Sequence, residues 1–151
     1  MKMGWEKKGA EKMLLSMEFD IKAGDFVLAG EASSKIKDAL KKLGVKPEIL
    51  KKVAIISYEA EMNIVIHSVG GVLKAIISKD KIEIIAEDRG PGIENIELAM
   101  MEGYSTAPEE IRNLGFGAGM GLPNMKKYSD HFEIESQKGT GTRVYMVVFN
   151  K

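Results

Sequence analysis

The sequence predicts an α+β protein. Two short apolar runs joined by Lys79-Asp80 read as a hairpin, a second pair of strand-like runs closes the chain, and two segments ahead of them space their apolar residues as helices do. A chain of 151 residues is long enough for one domain with its own core and short for two.

Taken in order, residues 1–13 match no element and are expected to form a tail, disordered or held for a partner, which leaves 14–151 as the domain. Residues 14–21 (LLSMEFDI) read as a strand, followed by a turn over AGDF at 23–26 and a short extended piece at 27–29. Over 33–43, Ile36, Ala39, Leu40 and Leu43 fall on one helical stripe that Gly44 ends. Pro47 suits the first turn of the longest helix, over 47–69, with Ile49, Val53, Ile56, Ala60, Ile64 and His67 along its apolar side. Gly70-Gly71 stops it, and the hairpin follows as 72–78 (VLKAIIS) and 81–86 (KIEIIA), so that Asp88 lies just past a strand end. A short helix is expected over 94–101, a long polar, glycine-containing lid over 103–121, and a further helix over 122–128 (LPNMKKY). Strands at 131–136 (HFEIES) and 142–149 (TRVYMVVF), joined by QKGTG, complete the chain.

Composition excludes several classes of function. Lys+Arg and Asp+Glu both total 22, so no broad basic surface exists to hold a phosphate backbone, and nucleic acid is not an expected partner. With no Cys and only two His (His67 and His131), thiol nucleophiles, cysteine zinc sites and His-built metal centres are out of reach. No apolar run approaches the roughly 20 residues that span a bilayer, and the N-terminus lacks the apolar stretch of a signal peptide. A cytoplasmic protein without a membrane partner is the expectation.

Chemistry concentrates at three places. Glu59 and Asn63 are one helical turn apart on one face and interrupt a run of Ala, Ile, Val and Met. The Asn oxygen is a fit neutral ligand for Mg²⁺, and the carboxylate beside it suits general-base work on a hydroxyl; the same spacing also fits a solvated helix face. Glu61, two residues on, points elsewhere. Asp88-Arg89-Gly90-Pro91-Gly92 offers an acceptor for the exocyclic amine of a base, with Gly92 letting backbone lie against the ring, or else an ordinary turn with an Asx cap. Gly115, Gly117, Gly119 and Gly121 alternate directly ahead of Leu122-Pro123, where a helix start favours an anion. That run is G-x-G-x-G-x-G after a polar loop, not the G-x-G-x-x-G of a dinucleotide fold, and no Gly-Lys-Ser/Thr of a P-loop follows.

The ordered set Glu59-x-x-x-Asn63, Asp88-x-Gly90-x-Gly92, Gly115 to Gly121 and Gly139-Thr140-Gly141-Thr142 resembles the four nucleotide-binding boxes of the GHKL ATPases, the group of gyrase, Hsp90, histidine kinases and MutL. The likeness extends from about residue 14 to the end. Within the group the chain is most similar to the stand-alone anti-sigma factors and switch serine/threonine kinases of partner-switching systems, the GLP opening of the helix included. The resemblance implies a two-layer α/β sandwich of the Bergerat type, with a mixed, mostly antiparallel sheet and helices on one face. It implies ATP and Mg²⁺ as cofactors, Glu59 as catalytic base and Asn63 as metal ligand. Asp88 would meet the adenine amine with Thr142 nearby through water, and Gly90 and Gly92 would line the base. Gly115, Gly117, Gly119, Gly121 and Leu122 would lie along the phosphates, with Ser105 and Thr106 as further lid hydroxyls or loop caps. His67, four residues after Asn63, is read as a packed or hydrogen-bonded histidine and not a catalytic one.

The function so implied is phosphorylation of a Ser or Thr on a regulatory partner, a protein with a STAS-like anti-anti-sigma domain or a sigma factor; a homodimer is left open. The alternatives are an ATP-dependent anti-sigma or adaptor module and an ATPase without kinase activity.

Overall fold

The computed structural model describes residues 2–8, 11–93, 95–101 and 121–151. They form strands β1 (Lys2–Lys8), β2 (Glu11–Ile21), β3 (Gly71–Ser78), β4 (Lys81–Asp88), β5 (His131–Gln137) and β6 (Gly141–Phe149), with helices α1 (Glu31–Lys42), α2 (Pro47–His67), α3 (Ile96–Ala99) and α4 (Gly121–Tyr128). The six strands make one sheet in the order β1-β2-β3-β4-β6-β5. Every described pairing is antiparallel, within the mixed, mostly antiparallel sheet that was expected. The α+β class and the placing of the helices on one face hold.

Register explains the core. Leu15, Ile77, Ile82 and Val148 stand opposite one another across four strands; Met17, Ala75, Ile84, Met146 and Phe132 form the next row, and Phe19, Leu73, Ala86, Val144 and Ile134 the third. All of these side chains share the face that the helices cover, since residues two apart on a strand point the same way. In β2, β3, β4 and β6 they are buried together with Ile36 and Leu40 of α1, Val53, Ile56 and Ile64 of α2, and Met125 of α4. Each fully buried aliphatic side chain contributes roughly 1.5–3 kcal/mol relative to exposure, so these rows hold the sheet to its helices.

Four sequence expectations change. Lys2–Lys8, expected within a tail, pair antiparallel with β2 as an edge strand, with a register shift between Gly4 and Glu6. Residues 27–29 are not extended: they form the bend that delivers Gly30, in left-handed conformation at φ 94°, to the start of α1. The long helix ends at His67, because the Ser68 hydroxyl turns back to the Ile64 carbonyl at 2.6 Å and Gly70 takes φ 121°. The helix expected over 94–101 is a single turn whose Asn95 side chain accepts the Leu98 amide at 3.0 Å.

Candidate functional site

The three apolar rows are followed by a fourth that turns polar. One step beyond Phe19, Leu73, Ala86 and Val144 along the same face stand Ile21, Gly71, Asp88, Thr142 and Ser136. Gly71 leaves no side chain beside Asp88, and only glycine fits, since a methyl there would lie 2.8 Å from the Asp88 Cα. Gly141 is held as tightly: at φ +146° any Cβ would run into the Asp88 carbonyl oxygen. Asp88 is therefore fixed from both sides by bare backbone.

The carboxylate of Asp88 does not cap its own turn. Its Oδ1 accepts the amide of Thr142, on the neighbouring strand, at 3.1 Å, and the Gly90 amide donates to the Thr140 carbonyl, so D-x-G-x-G is not an Asx turn. Burial pushes the Asp88 carboxyl above the usual carboxylate range, and the Thr142 amide partly offsets this. The loop after it is bound on two sides. Arg89 exchanges backbone hydrogen bonds with Val69 and Gly70 at the end of α2, and the Gly139 amide donates to the Pro91 carbonyl at 2.9 Å. Gly92, at φ 74°, lies so close to Gln137 that a Cβ would strike its carbonyl oxygen. Gly90 sits against Ser68, where a Cβ would come within 3.2 Å of the Ser68 Cα. Gly92 is thus required by packing, and Gly90 stands in a tight contact, whatever they do for a ligand.

Ser136 was not singled out from the sequence. Its hydroxyl accepts the Ile93 amide at 2.6 Å and bonds the Thr142 hydroxyl at 2.8 Å, tying the loop after Asp88 to the β5–β6 hairpin. A signal was present: Phe132, Ile134 and Ser136 alternate, so Ser136 is the polar end of an inward-facing series.

Above this row lies the second half of α2. Glu59 and Asn63 are half-buried and face the first residue of α4, where a methyl on Gly121 would stand 3.3 Å from Glu59 Oε2 and 3.4 Å from Asn63 Oδ1. The pair does not look into open solvent, as a solvated helix face would. Burial raises the Glu59 carboxyl, which favours proton acceptance at a higher pH than an exposed Glu. His67, one turn beyond Asn63, is half-buried and its imidazole is pushed toward the neutral form by burial. Leu122, expected along the phosphates, buries its side chain in the core, which leaves its backbone at the start of α4. Gly115, Gly117 and Gly119, with Ser105 and Thr106, lie outside the described residues.

The oxygen of Asn63, the carboxylate of Glu59 and the bare Cα of Gly121 fit a Mg-bound triphosphate, because a hard cation takes oxygen ligands and glycine lets the backbone of a helix start come close to an anion. Asp88, with Thr142 and a glycine beside it, fits the edge of a base. Among the described residues no group of three or more His, Cys, Asp or Glu could hold a metal ion by itself.

Glu61 does point elsewhere, as expected, and has a definite role. It is 2 % exposed and accepts the amides of Gly30 at 3.0 Å, Ala32 at 3.3 Å and Ser33 at 2.9 Å, capping α1 from α2.

Residues 50–150 match the family model described as "Histidine kinase-, DNA gyrase B-, and HSP90-like ATPase". The chain is 40% identical over 98 residues to the anti-sigma F factor of Clostridium kluyveri, covering 61% of this chain and 66% of that protein. It is 42% identical over 96 residues to the anti-sigma F factor of Thermoanaerobacter sp. strain X514, covering 60% and 64%. Both alignments span slightly less than two thirds of the relative's length. A chain in the crystal structure of the SiaB-SiaC complex from Pseudomonas aeruginosa superposes with a TM-score of 0.60 at 12% identity over 87% of this chain and 88% of that one, a likeness of fold. No helix among the described residues is long and apolar enough to cross a membrane.

Proposed function

Because the chain belongs to the family of histidine kinase-, DNA gyrase B- and HSP90-like ATPases, we propose that it is an ATP-dependent serine/threonine protein kinase acting on a regulatory protein partner. The observation that carries this reading is the half-buried Glu59 beside Asn63, set against the start of α4 and above the polar row of Asp88 and Thr142. Asn63 would hold Mg²⁺ through its side-chain oxygen. When bound, the ion would neutralise charge on the β- and γ-phosphates. Asp88 accepts from the amine of the base and fixes the nucleotide's orientation, while the amides at the start of α4 face the phosphates. Glu59 takes the proton of an incoming seryl or threonyl hydroxyl as that oxygen bonds to the γ-phosphorus and ADP departs. Positioning and electrostatics supply most of the acceleration. The partner expected is a STAS-like anti-anti-sigma domain, and the protein is read as cytoplasmic.

A second reading is favoured by the names of the relatives: an ATP-dependent anti-sigma factor whose output is binding. Incubation with Mg-ATP and a candidate partner separates the two. Phosphoserine or phosphothreonine on the partner supports the kinase, and a stable ATP-dependent complex without label supports the binder. Free phosphate without either supports an ATPase. Glu59→Gln is expected to abolish transfer and to keep nucleotide binding; transfer at the original rate would remove Glu59 as the base.

A further inference from the structure

The net charge of zero, from which composition excluded a broad basic surface, averages over an uneven distribution. From the end of α1 to the second turn of α2, residues 41–52 carry five lysines (Lys41, Lys42, Lys46, Lys51 and Lys52) and one acid, Glu48. The last turn of α4 adds Lys126 and Lys127. A contact of 3.8 Å from Lys52 to Asp130, just past α4, brings that helix end to the same end of the helical layer. Apart from Lys52, and from Lys127 over the Tyr128 ring at 5.3 Å, these lysines have no ion-pair or ring partner among the described residues. Carboxylates gather at the opposite end: Asp25 and Glu31 at the start of α1 beside Glu61, Glu59 on the second half of α2, and Glu87 and Asp88 at the end of β4. Lys51 and Asn63 stand about 18 Å apart along α2. The screening length at physiological ionic strength is about 8 Å, so an approaching surface meets the basic end without the acidic one.

Helix stability accounts for part of this cluster. Lys41, Lys42, Lys126 and Lys127 suit the C-terminal ends of α1 and α4, where partial negative charge favours a cation. Lys46 does not, since it occupies the N-cap position of α2, where the partial charge is positive and Ser, Thr, Asp or Asn is favoured. Its charge works against the helix it begins and against its like-charged neighbours, so an external anion accounts for it better than the fold does.

We infer that this basic end is a docking surface for an anionic lipid bilayer, on which it holds the end bearing Glu59, Asn63 and Asp88 toward solution. All seven cations are lysines, compact charges suited to a diffuse layer of headgroups; Arg89 and Arg143, whose forked geometry suits single phosphates, lie at the other end. Lysine is depleted in protein–protein interfaces, which disfavours a protein as the occupant. Leu43, next to Lys42, is 36 % exposed, an apolar side chain able to enter the headgroup region beside its lysines.

The test is co-sedimentation of the full chain with vesicles of equal parts phosphatidylcholine and phosphatidylglycerol, and with vesicles of phosphatidylcholine alone. The protein should bind the anionic vesicles only, and added salt should release it. Each lysine near an anionic surface is worth about fivefold in partitioning, so Lys46→Glu with Lys51→Glu should weaken binding by at least about 25-fold. An acid suits the N-terminus of α2, so this variant should fold as wild type does. Lys22→Glu with Lys35→Glu changes the net charge equally at the other end and should leave binding nearly unchanged. Should the first pair not fold, Lys126→Gln with Lys127→Gln must weaken binding in the same direction. No binding to anionic vesicles, equal binding to neutral ones, or equal weakening by the two double variants would overturn the inference. A duplex oligonucleotide bound more tightly than the vesicles at the same salt would assign the basic end to nucleic acid and overturn it as well.

Discussion

Replacing Glu61 by Ala removes the shared acceptor of three backbone amides at the start of α1. That helix has no cap of its own, because Gly30 stands at the N-cap position and carries no side chain. Ser33 and Ala32 donate from buried positions at 2.9 and 3.3 Å, and Gly30 from a partly buried one at 3.0 Å. Hydrogen bonds to a charged acceptor are each worth about 1.5–3 kcal/mol, and a buried amide left without a partner costs about 1–3 kcal/mol. The Ala32 bond is long and water can reach the Gly30 amide, so the sum is discounted to about 3–5 kcal/mol for Glu61→Ala. Glu61→Gln keeps an acceptor oxygen but turns an amide donor toward the remaining N–H groups, and should cost about 1–3 kcal/mol. Urea denaturation followed by circular dichroism measures this: the midpoint should fall with the slope unchanged. A loss below about 1 kcal/mol for Glu61→Ala would refute the reasoning, since the three amides would then have found other partners at no cost.

Gly141→Ala should destabilise by about 2–4 kcal/mol, because φ +146° is costly for any other residue and the new Cβ would displace the Asp88 backbone; a thermal melt that matches wild type would contradict this. Glu59 carries a pH signature as well. Its carboxyl is raised in the folded state, so folding favours the protonated form, and that stabilisation is complete below the ordinary Glu value and lost as pH rises through the raised one. Glu59→Gln, which is neutral at every pH, should therefore be more stable than wild type at neutral pH relative to its behaviour in acid. Parallel denaturation series across that range check the sign, and a variant that loses ground as pH rises would reverse it.

Local elements were legible where pattern and punctuation coincide. Pro47 and Gly70-Gly71 bracket α2, and the apolar runs on either side of Lys79-Asp80 specify their own hairpin. The sheet order was not, because β4 pairs with β6 across more than half a hundred intervening positions by contacts that no local spacing reveals. Glu61 shows the same limit. Its direction away from Glu59 follows from helical geometry, whereas its partners at 30–33 lie in another element. At Leu122 the pattern points to the backbone of a helix start, and the side chain, which that pattern does not address, packs in the core. Gly90 and Gly92 were read for a ligand, and the crowding around them by Ser68 and Gln137 depended on tertiary neighbours that sequence does not display.

The fourth row of the sheet explains how a site can sit at the edge of this core without loosening it. Asp88, Thr142 and Ser136 continue the inward alternation of β4, β6 and β5, so their backbones are held by the same ladders that hold Ala86, Val144 and Ile134. Polar groups so placed would be costly if left alone, and each is satisfied by a neighbour within the row or by the loop after Asp88. Groups carried on strands also move less than groups carried on loops, which suits the recognition of a flat base proposed for this row. Glu59 and Asn63 stand on α2, whose other face is buried against those strands. The two halves of the site are therefore referred to one core, and a change in that core should alter nucleotide affinity and stability together.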